Sequence, residues 1–175
     1  MKTLLLLRHG KSSWNDPGLA DYERPLLPKG ERRTRNVADF MRKYRVDDGV
    51  DGGVDGGADE SSLVIDRIVS SPAVRAGATA RIAAGILGIP QSHISYEERL
   101  YDSSADDYRK VADAYWERFD SIMLVGHNPM ITEFANRFLP LPIDNLPTSG
   151  CIAFRFQGGV TPNVLFAIFP KRLGS

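Results

Sequence analysis

The stretch that decides the fold runs from Thr3 to Gly10: Thr-Leu-Leu-Leu-Leu-Arg-His-Gly. Four consecutive leucines, Leu4 to Leu7, cannot alternate between core and solvent. They read as a strand buried on both faces, as in the middle of a parallel sheet covered by helices on each side. The run ends at Arg8-His9-Gly10, and the carboxyl end of such a strand is where α/β sheets place their chemistry. The same run is far shorter than the roughly 18 residues of a spanning helix or the about 7 of a secretory segment, so no membrane span or export signal is expected.

Working outward, the hydrophobic period changes. Val37, Phe40, Met41 and Tyr44 fall at i, i+3, i+4 and i+7, predicting an amphipathic helix entered near Pro28. Leu63 to Val69 reads as a second strand, followed by Ser70-Ser71-Pro72 and a helix with Thr79, Ile82, Ala83 and Ile86 on one face that stops near Gly88. A short strand at Ile94–Tyr96 precedes a helix marked by Tyr108, Val111, Ala112, Tyr115 and Phe119. Ser121 to Val125 is a third clear strand, leading through Gly126-His127-Asn128-Pro129 into a helix along Ile131, Phe134, Ala135 and Phe138. Cys151–Phe156 and Val164–Phe169, separated by Gly158-Gly159, read as a closing hairpin. Strands alternating with helices predict an α/β fold: a three-layer α/β/α sandwich around a mostly parallel sheet.

The chain has 175 residues, 42% of them hydrophobic, with 22 basic and 22 acidic side chains, which suits a single domain over residues 1–175. Zero net charge hides an asymmetry. Asp47, Asp48, Asp51, Asp55, Asp59 and Glu60 place six acids and no base in positions 47–60, leaving +6 elsewhere. That excess is too mixed for a nucleic-acid stripe but fits a pocket for a small anion. Residues 47–62, with five glycines and little apolar surface, read as a flexible acidic insertion. They lack the alternate-position ligands and terminal Glu of an EF-hand loop. Cys151, the single cysteine, forms no internal disulfide, so a reducing, cytoplasmic compartment is expected.

Three strand ends carry unusual polar residues: Arg8-His9-Gly10, Ser70-Ser71-Pro72 with Arg75 one turn later, and Gly126-His127-Asn128-Pro129. In an open α/β sheet these ends share one crevice, where two arginines, two histidines and helix N-termini converge to suit a phosphoryl group. Charge on a transferring phosphoryl spreads over three oxygens, and the permanently charged forks of Arg8 and Arg75 can stabilise it. One histidine has to be neutral, with one ring nitrogen free to attack phosphorus and the other held as a donor by a backbone carbonyl. The second can be protonated and add a further donor. Adjacency to Arg8 at a strand end favours His9 as nucleophile and His127 as its support. A zinc hydrolase is disfavoured: there is no H-E-x-x-H, no paired cysteine and no His-x-His, and two arginines would repel the ion, so no metal or cofactor is expected. His93 has no matching partners, Glu31 to Arg35 read as the solvated face of a helix, and Trp14 and Trp116 as packing or pocket-wall residues.

The ordered segments R-H-G-K-S-S-W-N at 8–15, S-S-P-A-V-R-A-G-A-T-A at 70–80 and G-H-N-P at 126–129 resemble the signatures of the histidine phosphatase, or phosphoglycerate mutase-like, superfamily. D-Y-E-R-P-L-L-P-K-G-E-R at 21–32 and L-Y-D-S-S at 100–104 are most similar to its SixA-type phosphohistidine phosphatases. The resemblance spans Leu4 to about Phe169 and implies a phosphoglycerate mutase-like fold. It also implies a metal-independent phosphatase in which His9 is transiently phosphorylated and Arg8, Arg75 and His127 complete the pocket. Ser12, Asn15 and Asn128 would bind substrate. Relatives often take their general acid from a Glu after the second signature, where this chain offers Glu97, Glu98 and Asp102, with Asp102 the candidate retained. The implied substrate is a phosphorylated protein carrying phosphohistidine, or else a small phosphate ester, with no role for nucleic acid or membrane. A small-molecule phosphomonoesterase or mutase of the superfamily, and a catalytically silent phosphate-binding module, are the other readings.

Overall fold

The computed structural model describes residues 1–44 and 62–174. The acidic, glycine-rich stretch expected to be a flexible insertion lies, apart from Ser62, outside the described residues. Six strands form one sheet: β1 (Lys2–Arg8), β2 (Arg67–Ser70), β3 (Ile94–Tyr96), β4 (Ser121–Gly126), β5 (Cys151–Phe156) and β6 (Asn163–Ile168). Their order is β3-β2-β4-β1-β5-β6. β1, β2, β3 and β4 pair in parallel, and β5 is antiparallel to both β1 and β6.

Side-chain alternation along the central strands separates two cores. Leu5 and Leu7 of β1, Met123 and Val125 of β4, and Ile68 of β2 meet α1 (Pro28–Lys43) and α2 (Val74–Leu87). Leu4, Leu6, Ile122, Leu124 and Val69 point the other way, onto α3 (Ala105–Trp116) and α4 (Met130–Asn136). Leu4 to Leu7 are all fully buried, so the unbroken leucine run is what a sheet with helices on both faces requires. Each contributes about 1.5–3 kcal/mol of burial.

Local chemistry sets the element ends. Pro28 opens α1 in its first turn, where a missing N–H costs nothing. α2 closes at Gly88, whose φ of 71° is the left-handed conformation that glycine adopts without strain. α3 begins with a capping box, in which Ser104 and Asp107 bond each other's backbone N–H.

The second strand departs from expectation. It begins at Arg67 rather than Leu63, because Val64 is 64% exposed and the preceding segment is tied edgewise to the start of β4. There the Ser121 hydroxyl donates to the Val64 carbonyl, and the Asp66 carboxylate accepts from the Asp120 and Ser121 amides. The last strand starts one residue earlier than the pattern predicts, at Asn163, with a register shift opposite Ala153 and Phe154.

Candidate active site

The carboxyl ends of β2, β4 and β1 lie side by side with β4 in the centre, and the register pairs Arg8 with Gly126 and Ser70 with Val125. The three polar turns therefore leave the sheet at one level. They are also joined through their backbones: His9 N–H donates to the Gly126 carbonyl at 3.0 Å and Ser71 N–H to the Val125 carbonyl at 2.9 Å. Gly126 is required here, since a Cβ would fall 2.0 Å from the Tyr108 hydroxyl. That buried hydroxyl donates to the Leu100 carbonyl and accepts from His127 N–H, fixing where the His127 turn begins.

His9 is 7% exposed, and its Nδ1 lies 2.7 Å from the Gly10 carbonyl. A carbonyl only accepts, so Nδ1 carries the proton and Nε2 keeps its lone pair. Nε2 in turn accepts from Arg75 Nε at 3.4 Å. Burial, reinforced by the charges of Arg75, Arg8 and Arg24 and opposed by the Gly10 bond, pushes the His9 pKa down to about 3. The imidazole is therefore neutral near pH 7. The loop is pinned further by Thr79, whose hydroxyl accepts from Gly10 N–H and donates to the Arg75 carbonyl.

His127 faces His9 with ring centroids 5.0 Å apart. Its Nδ1 lies 3.3 Å from an Arg75 guanidinium nitrogen, which can only donate, so Nδ1 accepts and the Nε2–H donates to Ser71 Oγ at 2.8 Å. Burial, with His9 and Arg75 adding to it, lowers its pKa to about 3. In this arrangement the His127 ring is therefore neutral near pH 7, and the protonated form that the sequence allows for the second histidine needs a further negative charge beside it.

Arg75 is 5% exposed and central to the site. Besides the two histidines it bonds the Asp21 carbonyl at 2.6 Å and the Asp21 carboxylate at 3.0 Å. No pattern in the sequence singles out Asp21 for this role. Tyr101 donates to the same carboxylate oxygen as Arg75, at 2.9 Å, and the other oxygen accepts from Arg24 at 3.0 Å. Partial burial works to raise the Asp21 pKa, but the Tyr101 and Arg75 hydrogen bonds and the Arg75 and Arg24 interactions outweigh it and hold the carboxyl at about 2. Asp21 is therefore an anionic brace for the guanidiniums and is not placed to give up a proton. Arg24, 7% exposed, also donates to Ser12 Oγ at 2.9 Å and lies 3.4 Å over the Trp14 ring.

Arg8 donates to the Leu146 carbonyl at 2.9 Å and approaches Asn145 at 3.4 Å. Its Nε is buried without an acceptor, and burial followed by the Arg75 charge lowers its pKa. Asn128 organises the same loop, donating to Asn145 and to the Leu146 carbonyl while accepting from Thr132. Arg8, His9, Ser12, Arg75, His127 and Asn128 all line one cavity of about 630 Å³. Asp102 stands exposed at its wall. Glu97 and Glu98 do not line it, and Glu97 is engaged by Tyr115 and Arg99.

Asn15 is not brought to the cavity. The chain turns outward there, with Asn15 N–H on Ser13 Oγ and Gly18 N–H on the Asp16 carboxylate, leaving Asn15 exposed. Arg33, expected on the wet face of α1, lines the cavity instead, as do Lys11 and the 75%-exposed Trp14. Helical spacing could have flagged Arg33, which lies three residues after buried Gly30 and four before buried Val37. Among the described residues no three His, Cys, Asp or Glu side chains are grouped as a metal site. No described helix is long and apolar enough to cross a membrane.

Solved structures share this architecture along nearly the whole chain. A candidate phosphohistidine phosphatase SixA from Agrobacterium tumefaciens superposes with a TM-score of 0.75 at 24% identity, covering 97% of this chain and 98% of that one. The fold is phosphoglycerate mutase-like, as in these structures. A protein histidine phosphatase SixA complexed with tungstate matches at a TM-score of 0.74 and 18% identity over 98% and 99% of the two chains. A phosphoserine phosphatase from Entamoeba histolytica with its His9 changed to Ala, bound to phosphoserine, matches this fold at a TM-score of 0.64 and 18% identity over 99% and 100% of the two chains. In sequence, the uncharacterized protein Rv1276c of Mycobacterium tuberculosis H37Rv is 26% identical over 162 residues, covering 87% of this chain and 88% of that protein. No protein-family model matches the chain.

Proposed function

We propose that the protein is a metal-independent phosphatase of the histidine phosphatase superfamily, working through a phosphohistidine intermediate on His9, with phosphohistidine of the SixA type as its substrate class. The observation that carries this reading is the His9 tautomer: Nδ1–H locked on the Gly10 carbonyl, and an unprotonated Nε2, met by Arg75 Nε at a long 3.4 Å, in a cavity lined by two guanidiniums and a second imidazole.

In the first step the Nε2 lone pair forms a bond to phosphorus as the bond to the leaving group breaks, and the leaving group departs with that electron pair and takes up a proton. Arg8 and Arg75 neutralise the equatorial oxygens, and the arriving dianion favours a protonated His127 that adds a donor. In the second step water attacks phosphorus in line, the P–Nε2 bond breaks, and inorganic phosphate leaves. Asp102, the other carboxylate among the described lining residues, is our candidate for carrying protons at the leaving-group side, since Asp21 is held ionised by Arg75 and Arg24. A phosphohistidine substrate asks little of that acid, because an imidazole leaving group can be protonated before it departs. The free thiol of buried Cys151 fits a reducing compartment such as the cytoplasm.

The test is turnover by the purified chain, in the presence of chelator, on a phosphorylated phosphotransfer domain beside a panel of small phosphate esters. Release of phosphate from the phosphohistidine domain, abolished by His9→Ala, is expected. Loss of turnover after prolonged chelation, or turnover that survives in His9→Ala, would contradict it. A preference for a small ester would keep the phosphatase and reject the substrate class.

A further inference from the structure

Arg8 and Arg75 account for the charge of one phosphoryl group, yet the same cavity carries more cation than that group needs. Arg75 and Arg24 share the single carboxylate of Asp21, which offsets one of their two charges. Lys11 and Arg33 also line the cavity, and among the described residues neither makes an ion pair or a side-chain hydrogen bond. The Arg33 Nε is buried and meets no acceptor. A buried guanidinium N–H without a protein partner is costly, so a water or an anion has to answer it.

The two side chains are held together by the fold. Gly30, one turn before Arg33 on α1, packs directly on the backbone of Lys11, where a Cβ would fall 2.3 Å from the Lys11 carbonyl oxygen. The Leu27 N–H donates to that carbonyl at 2.8 Å, and the Ser12–Leu26 bridge lies beside it. The first turn of α1 and the loop after His9 therefore form one rigid wall. The cations on it repel: the neighbouring Lys29 ammonium is lowered first by Arg33 and then by Lys11, with Arg32 and Lys171 contributing.

We infer that Lys11 and Arg33 form a second anion subsite in this cavity, which selects phosphorylated substrates carrying a further carboxylate or phosphate on the leaving-group side. The inference rests on the phosphatase reading and adds the chemistry of the remainder of the substrate. That anion comes either from a small molecule with two acidic groups or from an acidic side chain flanking a phosphorylated residue.

The test uses ligands that do not react. Equilibrium binding to the full chain is measured for alkylphosphonates of two to five methylenes and for the same chains ending in a carboxylate. The expected result is tighter binding of the carboxylates at one chain length, by about tenfold. Arg33→Gln should bring that ratio close to one, and Arg33→Lys should restore most of it. Lys11→Gln should lower it independently, which keeps the test open should an Arg33 variant not fold. A ratio near one in the wild type, or one preserved in both Arg33→Gln and Lys11→Gln, overturns the subsite. Phosphonates that fail to bind at all would instead count against the phosphoryl pocket itself. A parallel arm, with a phosphohistidine-mimicking peptide flanked by aspartates or by asparagines, shows which source of the anion the subsite prefers.

Discussion

Removing the Asp21 carboxylate tests whether Arg75 depends on it for its position. The Arg75 guanidinium reaches His9 Nε2 at 3.4 Å and His127 Nδ1 at 3.3 Å, and it is anchored from the opposite side by the Asp21 carbonyl and carboxylate at 2.6 and 3.0 Å. Deleting Arg75 itself should cost about 2–4 kcal/mol of transition-state stabilisation, a ~30- to 1,000-fold fall in kcat/KM, as for one preorganised oxyanion donor. Asp21→Asn keeps the shape and removes the charge. A charge-assisted hydrogen bond contributes about 1.5–3 kcal/mol when buried, but the Asp21 side chain is 47% exposed, so about 1 kcal/mol, or roughly fivefold, is the expected loss. The decisive assay is the double-mutant cycle, with kcat/KM measured for wild type, Asp21→Asn, Arg75→Ala and the pair. Since Asp21 acts through Arg75, its fivefold effect should vanish in the Arg75→Ala background. Losses that multiply would refute the bracing role.

Arg75→Ala should also move the acid limb of the pH profile upward, because the guanidinium charge helps depress both imidazoles; an unmoved limb would separate it from His9 and His127. Folding stability should be full above pH 6.5 and decline as pH falls from there toward about 3, since the unfolded chain takes up protons that the folded His9 refuses. Chemical denaturation across that range, compared with His9→Asn, checks the sign. Gly126→Ala forces a methyl to within 2.0 Å of the Tyr108 hydroxyl and should destabilise by about 1–3 kcal/mol, read as a lower denaturant midpoint. Tyr108→Phe leaves the buried His127 N–H and Leu100 carbonyl without their partner and should cost about 1–3 kcal/mol by the same measurement.

How much was legible in the sequence depended on whether a residue's role is local. Leu4 to Leu7 announce a doubly covered strand because burial on both faces leaves no freedom in composition, and the three polar turns follow from where such strands stop. The start of β2 was not legible: Leu63, Val64 and Ile65 are apolar in sequence, but hydrogen bonds to the β4 start hold that segment outside the ladder and leave Val64 in water. Asp21 was invisible for a related reason. It opens a single 3-10 turn, Asp21–Glu23, too short for any periodicity, and its partners Arg75 and Tyr101 are 54 and 80 residues away in the chain. Asn15 misled in the other direction, since a motif position says nothing of the turn at Ser13 and Asp16 that carries it outward.

The most direct measurement is a rapid quench of the enzyme with labelled substrate, followed by denaturation in base and phosphorus NMR with peptide mapping. Acid-labile, base-stable phosphate on the Nε2 of His9 is the predicted result, because Nδ1 is committed to the Gly10 carbonyl. Phosphate on Nδ1, on His127 or on a hydroxyl, or none trapped during demonstrable turnover, would contradict it.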